Sequence, residues 1–474
     1  MSRETVTRKA PLGEEKLRHM FKSSSDIQIM GVTLPQEEQP SVTVLLVYCR
    51  GLCDDTGINK YVVPDLKKMA GNHELRDREA LEKYVPFHLV ALSPERFETE
   101  IRTKVLEGQL VLVFEQLELA YAANLASTPK RKPEEPNTEV STRGPKDGFT
   151  EEPYVNIGLI RKRLKSDKLA VEEYTIGSQT ATKVVLLYMQ DTINEKVRQT
   201  IQEKLKKLCV EGIVSTTQIE ELLTRFSFFP LFAYTGRPDF AVNALMNGRF
   251  VLLAEGSPTA ILAPVNFSFL INSAEDAHTF NIFVMFIRIL RIFGVLISVF
   301  MPGFFIALVS FHQDQLPFTL LATLVNTRQG VPFPVGLEAL VMLLLFEIFR
   351  EAGMRLPSAF GQTLSVVGGL IIGQAAISAG IAAPGTTMVI AISVLSTFTL
   401  VNQSLVGAVS LIRAVVLLIS SALGLFGVLI CLITLVLYLV NLHSFGTYYL
   451  SPVSPLKFRT LYKTITRMPW GRKS

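Results

Sequence analysis

Ala414-Val-Val-Leu-Leu-Ile-Ser-Ser-Ala-Leu-Gly-Leu-Phe-Gly-Val-Leu-Ile-Cys-Leu-Ile-Thr-Leu-Val-Leu-Tyr-Leu-Val440 runs for 27 residues without a charge. A helix crossing the hydrocarbon core of a bilayer needs about 20 such residues. The run closes an 85-residue stretch, Leu356 to Val440, in which Arg413 is the only charged side chain. A soluble domain needs a charged outer surface, so this half of the chain reads as embedded in a membrane.

Upstream, Ile292–Phe311 gives 20 uncharged residues and Thr363–Ala383 gives 21. Gly336–Phe349 is interrupted by Glu338 and Glu347, and Thr386–Val401 is short at 16 residues. Basic residues near the membrane mark the cytoplasmic side. The tail after Val440 carries Lys457, Arg459, Lys463, Arg467, Arg472 and Lys473 and no acid, and Arg288 and Arg291 precede the first span. Residues 1–40 hold no apolar run of the kind a secretory signal needs. Both ends are therefore expected inside, which demands an even number of crossings. Four are expected, at about 292–311, 331–349, 363–383 and 414–440, with 386–401 short or re-entrant. Six follow if 414–440 splits near Gly424 and Gly427.

The third segment is built of small and polar residues. Val366 and Val367 precede Gly369 and Gly373, which lie four apart and share a helix face, as do Gln374 and Ser378. Small residues let helices approach in lipid, and uncharged polar groups there face protein or water. Plain helix packing accounts for the spacing as well as a pore lining does. A second cluster holds Glu338, Glu347, Arg350, Glu351 and Arg355. It reads as a salt-bridged helix end or as an ion or proton path, and Glu338 stands within the apolar run.

The N-terminal half mixes both charge signs, so the net charge of +5 does not point to nucleic acid. It contains short apolar runs that suit buried strands: Val42–Tyr48, Leu110–Glu115, Val184–Tyr188 and Phe250–Glu255. Tyr48 and Tyr188 are 140 apart, as are Gly108 and Gly248, and Leu66-Lys-Lys-Met69 resembles Leu205-Lys-Lys-Leu208 at 139. We expect two related α/β subdomains, 41–121 and 149–287, joined by a polar linker at 122–148. A polar segment, 1–40, precedes them; an α-helical multi-pass membrane domain, 288–440, and a basic cytoplasmic tail, 441–474, follow. Cys49, Cys53, Cys209 and Cys431 have neither zinc spacing nor a disulfide framework and read as buried thiols. The basic run Arg161-Lys-Arg-Leu-Lys165 reads as one face of a solvated helix. No phosphate loop, nucleophile elbow or metal cluster is present, so no catalytic residue, metal or cofactor is expected and the chain does not read as an enzyme.

The N-terminal half contains the stretches Arg143-Gly-Pro-Lys-Asp-Gly-Phe-Thr-Glu151, Leu159-Ile-Arg-Lys-Arg163, Tyr234-Thr-Gly-Arg-Pro-Asp239 and Glu255-Gly-Ser-Pro258. The membrane half adds Gly330-Val-Pro-Phe-Pro334, Arg350-Glu-Ala-Gly-Met-Arg-Leu-Pro357, Gly373-Gln-Ala-Ala376 and Ala379-Gly-Ile381. Together, in this order, these stretches resemble the A subunit of the GerA-type spore germinant receptors. The resemblance implies a multi-pass protein of the inner membrane of bacterial spores. It implies partnership with a permease-like B subunit and a lipoprotein C subunit, nutrient sensing, and a homo-oligomeric (pentameric) nutrient-gated ion channel. On that reading Val366, Val367, Gly369, Gly373, Gln374 and Ser378 include pore-facing positions. A membrane transporter and a membrane-anchored signalling scaffold are the alternatives. Substrate uptake into vesicles would mark the first, and indifference of ion release to changes at Gly369 or Gln374 the second.

Overall fold

The computed structural model describes residues 13–35, 41–72, 89–127, 144–224, 227–354, 371–456 and 458. The chain divides into two compact units. One holds residues up to Arg225 together with Tyr234–Pro264; the other holds Phe226–Ala233 and Val265 onward.

The first unit contains two five-stranded sheets. One is built from β1 (Ile27–Leu34), β2 (Val42–Cys49), β3 (Leu89–Ala91), β4 (Leu110–Phe114) and β5 (Leu119–Ala123), in the order β1-β2-β4-β5-β3. The other is built from β6 (Leu169–Ile176), β7 (Thr182–Met189), β8 (Ala233–Thr235), β9 (Phe250–Ala254) and β10 (Ala260–Ala263), in the order β6-β7-β9-β10-β8. The order is the same, and so is the register. Val44 faces Phe114 and Val47 faces Val111 in the first sheet; Val184 faces Ala254 and Leu187 faces Val251 in the second. Each of these positions is displaced by 140. Gly108 and Gly248 both adopt positive φ, and a side chain at either would run into a backbone oxygen, of Leu52 or of Thr192, again 140 apart.

Side chains alternate across a strand, and in β2 both sets are covered. Val44, Leu46 and Tyr48 pack with Leu66 and Met69 of the Val63–Asn72 helix. Leu45, Val47 and Cys49 pack with Ile101 and Val105 of the Phe97–Leu106 helix. The pairing within the sheet is antiparallel, so the unbroken apolar runs reflect two-sided cover rather than parallel pairing. In the second half the Glu195–Lys207 helix buries Val197, Ile201 and Leu205, a strict i, i+4, i+8 stripe.

Within the polar first 40 residues, Glu14–Met20 is a helix with Leu17 fully buried, and β1 pairs along all eight of its residues with β2. At the start of the 122–148 segment, β5 runs to Ala123 and Ala126 bridges Cys53. The α/β unit takes in Tyr234–Pro264, and Val265 onward belongs to the helical unit.

The basic run at 161–165 also departs from expectation. Arg161, on the Pro153–Arg163 helix, is fully buried and forms a two-pronged pair with Asp26 at 2.9 and 3.0 Å. The same guanidinium donates to the Ser166 carbonyl and the Ser24 hydroxyl. Residues 23–25 pair with Val171, so this chain end also covers the outer edge of β6. Arg161 and Asp26 thus tie the two sheets together.

In the second unit the Asn281–Phe311 helix has 31 residues and the Gln403–Asn441 stretch 39. Among the described residues these two helices are long and apolar enough to cross a membrane. Phe283, Phe286, Phe293, Leu411, Leu418 and Phe426 are exposed on them, a surface suited to lipid. The Val335–Met354 helix has 20 residues and four charges, and Pro384–Thr397 has 14 residues, about 21 Å at 1.5 Å per residue.

The count of four crossings rested on an unbroken 414–440 helix, and the helix is broken. Gly424 has φ 63° and ψ −143°, a conformation open to glycine and not to a β-carbon. A β-carbon on Gly427 would lie 2.8 Å from the carbonyl oxygen of Ile419, eight residues earlier. A continuous helix separates such residues by about 12 Å. The chain therefore doubles back at Gly424 into a hairpin of two helical arms.

The four cysteines divide. Cys49 and Cys53 are buried, Cys431 is half-buried and Cys209 is exposed. Burial and the Asp26 carboxylate push the Cys49 thiol well up, and burial pushes Cys53 up to about 12. The thiolate is the reactive form. In the folded full-length chain we expect a maleimide to label Cys209 first and to spare Cys49 and Cys53 until denaturant is added, read by peptide mass spectrometry. Removal of one partner of a buried pair costs about 3–5 kcal/mol. Asp26→Ala is expected to lower the denaturation midpoint accordingly, whereas Asp191→Ala, in the exposed Lys168–Asp191 pair, leaves it unchanged.

Candidate functional site: buried charges in the helical unit

The site begins with a proline. Pro302 lies inside the Asn281–Phe311 helix and has no N–H, so the carbonyl of Ser298 one turn earlier loses its helical partner. Ser393 of the Pro384–Thr397 helix supplies one: its hydroxyl donates to that carbonyl at 2.8 Å. Arg413 then reaches the same place. It is fully buried and donates to the Ser298 hydroxyl at 3.3 Å and to the Ser393 carbonyl at 3.2 Å. Its other terminal nitrogen donates to the Ser410 hydroxyl at 3.2 Å and makes a short contact with the Glu347 carboxylate. Arg350 pairs with the second oxygen of Glu347 at 2.6 Å and donates to Ser410 at 2.7 Å. One guanidinium thus joins four helices.

Small residues bring those helices together. A β-carbon on Gly303 would meet Ser420 and Val416 at 2.8–2.9 Å, and one on Gly294 would run into the Thr399 hydroxyl. A larger residue at either position would move Ser298 away from Arg413.

A second buried acid lies on the Val335–Met354 helix. Glu338 is fully buried. One of its oxygens accepts the Ala383 N–H at 2.7 Å, at the start of the Pro384–Thr397 helix. Negative charge is favoured there. The other oxygen lies 3.6 Å from Arg328.

The structure separates the expected charge cluster. Glu347 and Arg350 join Arg413, Glu338 joins Arg328 and Ala383, and Glu351 is exposed. Arg355 lies outside the described residues, as do Val366, Val367 and Gly369. Residues 371–378 are helical. Gly373 and Ala376 face inward, Gly373 against Thr387. Gln374 and Ser378 are exposed on the opposite face, with Gln374 directed at Ser378 at 3.5 Å. Arg413 is the residue the sequence reading left out of the site. Its signal was present, since one charge in 85 apolar residues demands a partner, but nothing in the spacing named Glu347. Arg288 and Arg291, read as cytoplasmic markers, are tied to Asp276; Arg291 is buried and makes a two-pronged pair at 3.0 and 3.1 Å.

In the α/β unit, distant stretches that carry the resemblance converge. Asp147 pairs with Arg163 at 2.5 Å, the Phe149 N–H donates to the Gly236 carbonyl at 2.8 Å, and the Gly256 N–H donates to the Glu151 carbonyl at 2.9 Å. Arg237 is buried against Asp239 at 2.7 and 3.1 Å. These contacts assemble a turn cluster and present no nucleophile–base pair. Among the described residues no group of His, Cys, Asp and Glu is placed to hold a metal ion.

The family model described as Bacillus/Clostridium GerA spore germination protein matches residues 15–474. The chain is 45% identical to Spore germination protein XA of Bacillus anthracis, over 98% of this chain and 95% of that one. It is 33% identical to Spore germination protein KA of Bacillus subtilis (strain 168), over 94% and 82% of the two chains. It is also 33% identical to Spore germination protein GerLA of Bacillus cereus, over 96% and 92%. Among solved structures, the N-terminal domain of the A subunit of the Bacillus megaterium spore germinant receptor GerK3 aligns with 53% of this chain and 93% of its own. The identity is 24% and the TM-score 0.40.

Removing Arg413 would leave the Ser298 and Ser393 acceptors without a donor and Glu347 without its main counter-charge. Arg413→Met in the full-length chain is expected to cost about 3–5 kcal/mol, read by thermal denaturation in detergent. Glu351→Gln, at an exposed position, is expected to stay within about 0.5 kcal/mol.

Proposed function

This chain belongs to the GerA family of Bacillus/Clostridium spore germination proteins, and we propose that it is the A subunit of a nutrient germinant receptor in the spore inner membrane. It works with a permease-like B subunit and a lipoprotein C subunit, and its helical units assemble as a homo-oligomer around a nutrient-gated ion pathway.

The proposed membrane domain crosses six times, with both ends on the cytoplasmic side. The reversal at Gly424 makes two arms of the last apolar run. Contacts along the helices agree with alternation. Ser298, Gly303 and Phe311 meet Arg413, Ser420 and Gly424 in the same order, so these two helices run parallel. Gly336 and Glu347 meet Ser421 and Arg413 in reverse order, so Val335–Met354 runs against them.

One observation carries the channel reading. Gln374 and Ser378 stand exposed on one face of a helix in an apolar unit, while Gly373 on the other face is packed. Uncharged polar groups against lipid are costly, so that face is turned to water or to another subunit. A ring of such helices, with small side chains, forms a closable constriction.

The test introduces Gln374→Cys, Ser378→Cys and, as an inward control, Ala376→Cys, each into a chain whose Cys209 and Cys431 are serine. A charged methanethiosulfonate reagent is expected to change ion release at positions 374 and 378 and to leave 376 unaffected. Modification of the introduced thiols at 374 and 378, shown by mass, with unchanged release would place the pathway elsewhere and favour the scaffold.

A further inference from the structure

A carboxylate kept from water in an apolar unit needs a task that offsets its lost hydration. Glu338, on the Val335–Met354 helix, has no exposure. One of its oxygens accepts the Ala383 N–H at 2.7 Å; the other is buried without a hydrogen-bond donor. Arg328 faces that second oxygen at 3.6 Å. The Arg328 side chain is 21% exposed and donates to the Phe333 carbonyl at 3.1 Å. Stability alone does not ask for this pair. A buried ion pair replaced by apolar residues of similar volume often leaves a protein as stable or more so.

What the carboxylate holds is a turn. The helix over residues 371–378 is followed by Gly380, which has φ 65°. The Ile381 and Ala382 N–H groups both donate to the Ala376 carbonyl, at 3.0 and 3.3 Å. Ala382 and Ala383 are buried, and Pro384 opens the next helix. Ala383 stands at the cap position of that helix and has no side chain to cap it. Glu338 does from a neighbouring helix what the acid of a capping box does from within: it takes the backbone N–H of the cap residue. The Thr387 hydroxyl returns to the Ala383 carbonyl at 3.0 Å, and Gly373 lies against the Thr387 methyl group. Glu338 therefore fixes the turn that carries the end of the helix with Gln374 and Ser378.

We propose that Arg328 and Glu338 form a clamp that positions the 371–378 helix, Glu338 by holding Ala383 and Arg328 by keeping the carboxylate there. The proposal rests on the receptor-channel reading for the statement that this helix lines the ion pathway. Without Arg328 a buried charge is left unpaired and is drawn toward water, away from Ala383. Without the carboxylate charge the Ala383 N–H keeps a weaker, neutral acceptor. In both cases the turn loosens and the inward face of the helix opens at Ala376, which is buried.

The test uses the full-length chain in the sole germinant receptor of the spore, with Cys209 and Cys431 as serine and Ala376→Cys as the reporter and reference. Modification of position 376 by a charged methanethiosulfonate reagent is timed in isolated membranes. Ion release is measured in spores, with whichever amino acid, sugar or nucleoside triggers it in the reference chain. Arg328→Gln and Glu338→Gln are each expected to speed modification, and to shift the concentration for half-maximal release, by about 5-fold or more, the lower end of ordinary coupling between sites. The double variant is expected to match Glu338→Gln, because Arg328 acts through that carboxylate. Arg328→Lys keeps the charge and is expected to leave both readouts at the reference level. If Glu338→Gln lowers abundance, the contrast between Arg328→Gln and Arg328→Lys at matched abundance decides. Unchanged modification in Arg328→Gln overturns the clamp, and so does an equal change in Arg328→Lys. Faster modification with unchanged release keeps the clamp and removes the ion pathway from this helix.

Discussion

The burial of one guanidinium constrains the whole helical unit. Arg413 has no exposure, and a charge held away from water must be paired and hydrogen-bonded or the arrangement is lost. Its two terminal nitrogens are partnered by Glu347, Ser410, Ser298 and Ser393, which come from four different helices. None of these helices can slide without leaving a donor or acceptor unsatisfied. Pro302 enters the same network from the other side, since the carbonyl it releases is taken up by Ser393. Glycines at 294 and 303 then set how near the helices stand. The network around Arg413 is therefore one polar point at which the unit is pinned, beside the buried Glu338–Ala383 and Arg291–Asp276 contacts.

The α/β unit uses the same device. Arg161 and Asp26 are buried together where the two sheets meet, and around them the Ser24 hydroxyl and the Ser166 and Leu169 carbonyls accept the remaining guanidinium N–H groups. Two copies of one sheet order, 140 residues apart, are in this way held as one body. In the second copy, residues 227–233 pack in the helical unit.

Much of this was legible in residue order. Apolar runs placed β2, β4, β7 and β9, and the spacing of Tyr48 and Tyr188 exposed the repeat before any strand order was known. The uncharged stretch from Leu356 marked the membrane half. Other features left weaker traces. β1 reads Ile-Gln-Ile-Met-Gly-Val-Thr-Leu, an alternation masked by the polar residues around it. The reversal at Gly424 was visible as a possibility, because a glycine within a 27-residue apolar run has two meanings, a packing contact or a positive φ. Local composition does not choose between them.

The sequence by itself determined the division into a mixed-charge half and an apolar half, the α/β character of the first and the duplication within it. These depend on period, length and charge, which are local quantities. Only the tertiary structure decided which charges are partners. Arg161 and Arg413 look alike in a list of basic residues, yet one closes on Asp26 and the other on Glu347, 135 and 66 residues away. Pairing over such distances is set by which helices and sheets are driven together when apolar surface is buried. Side-chain identity then settles only whether the meeting point is satisfied.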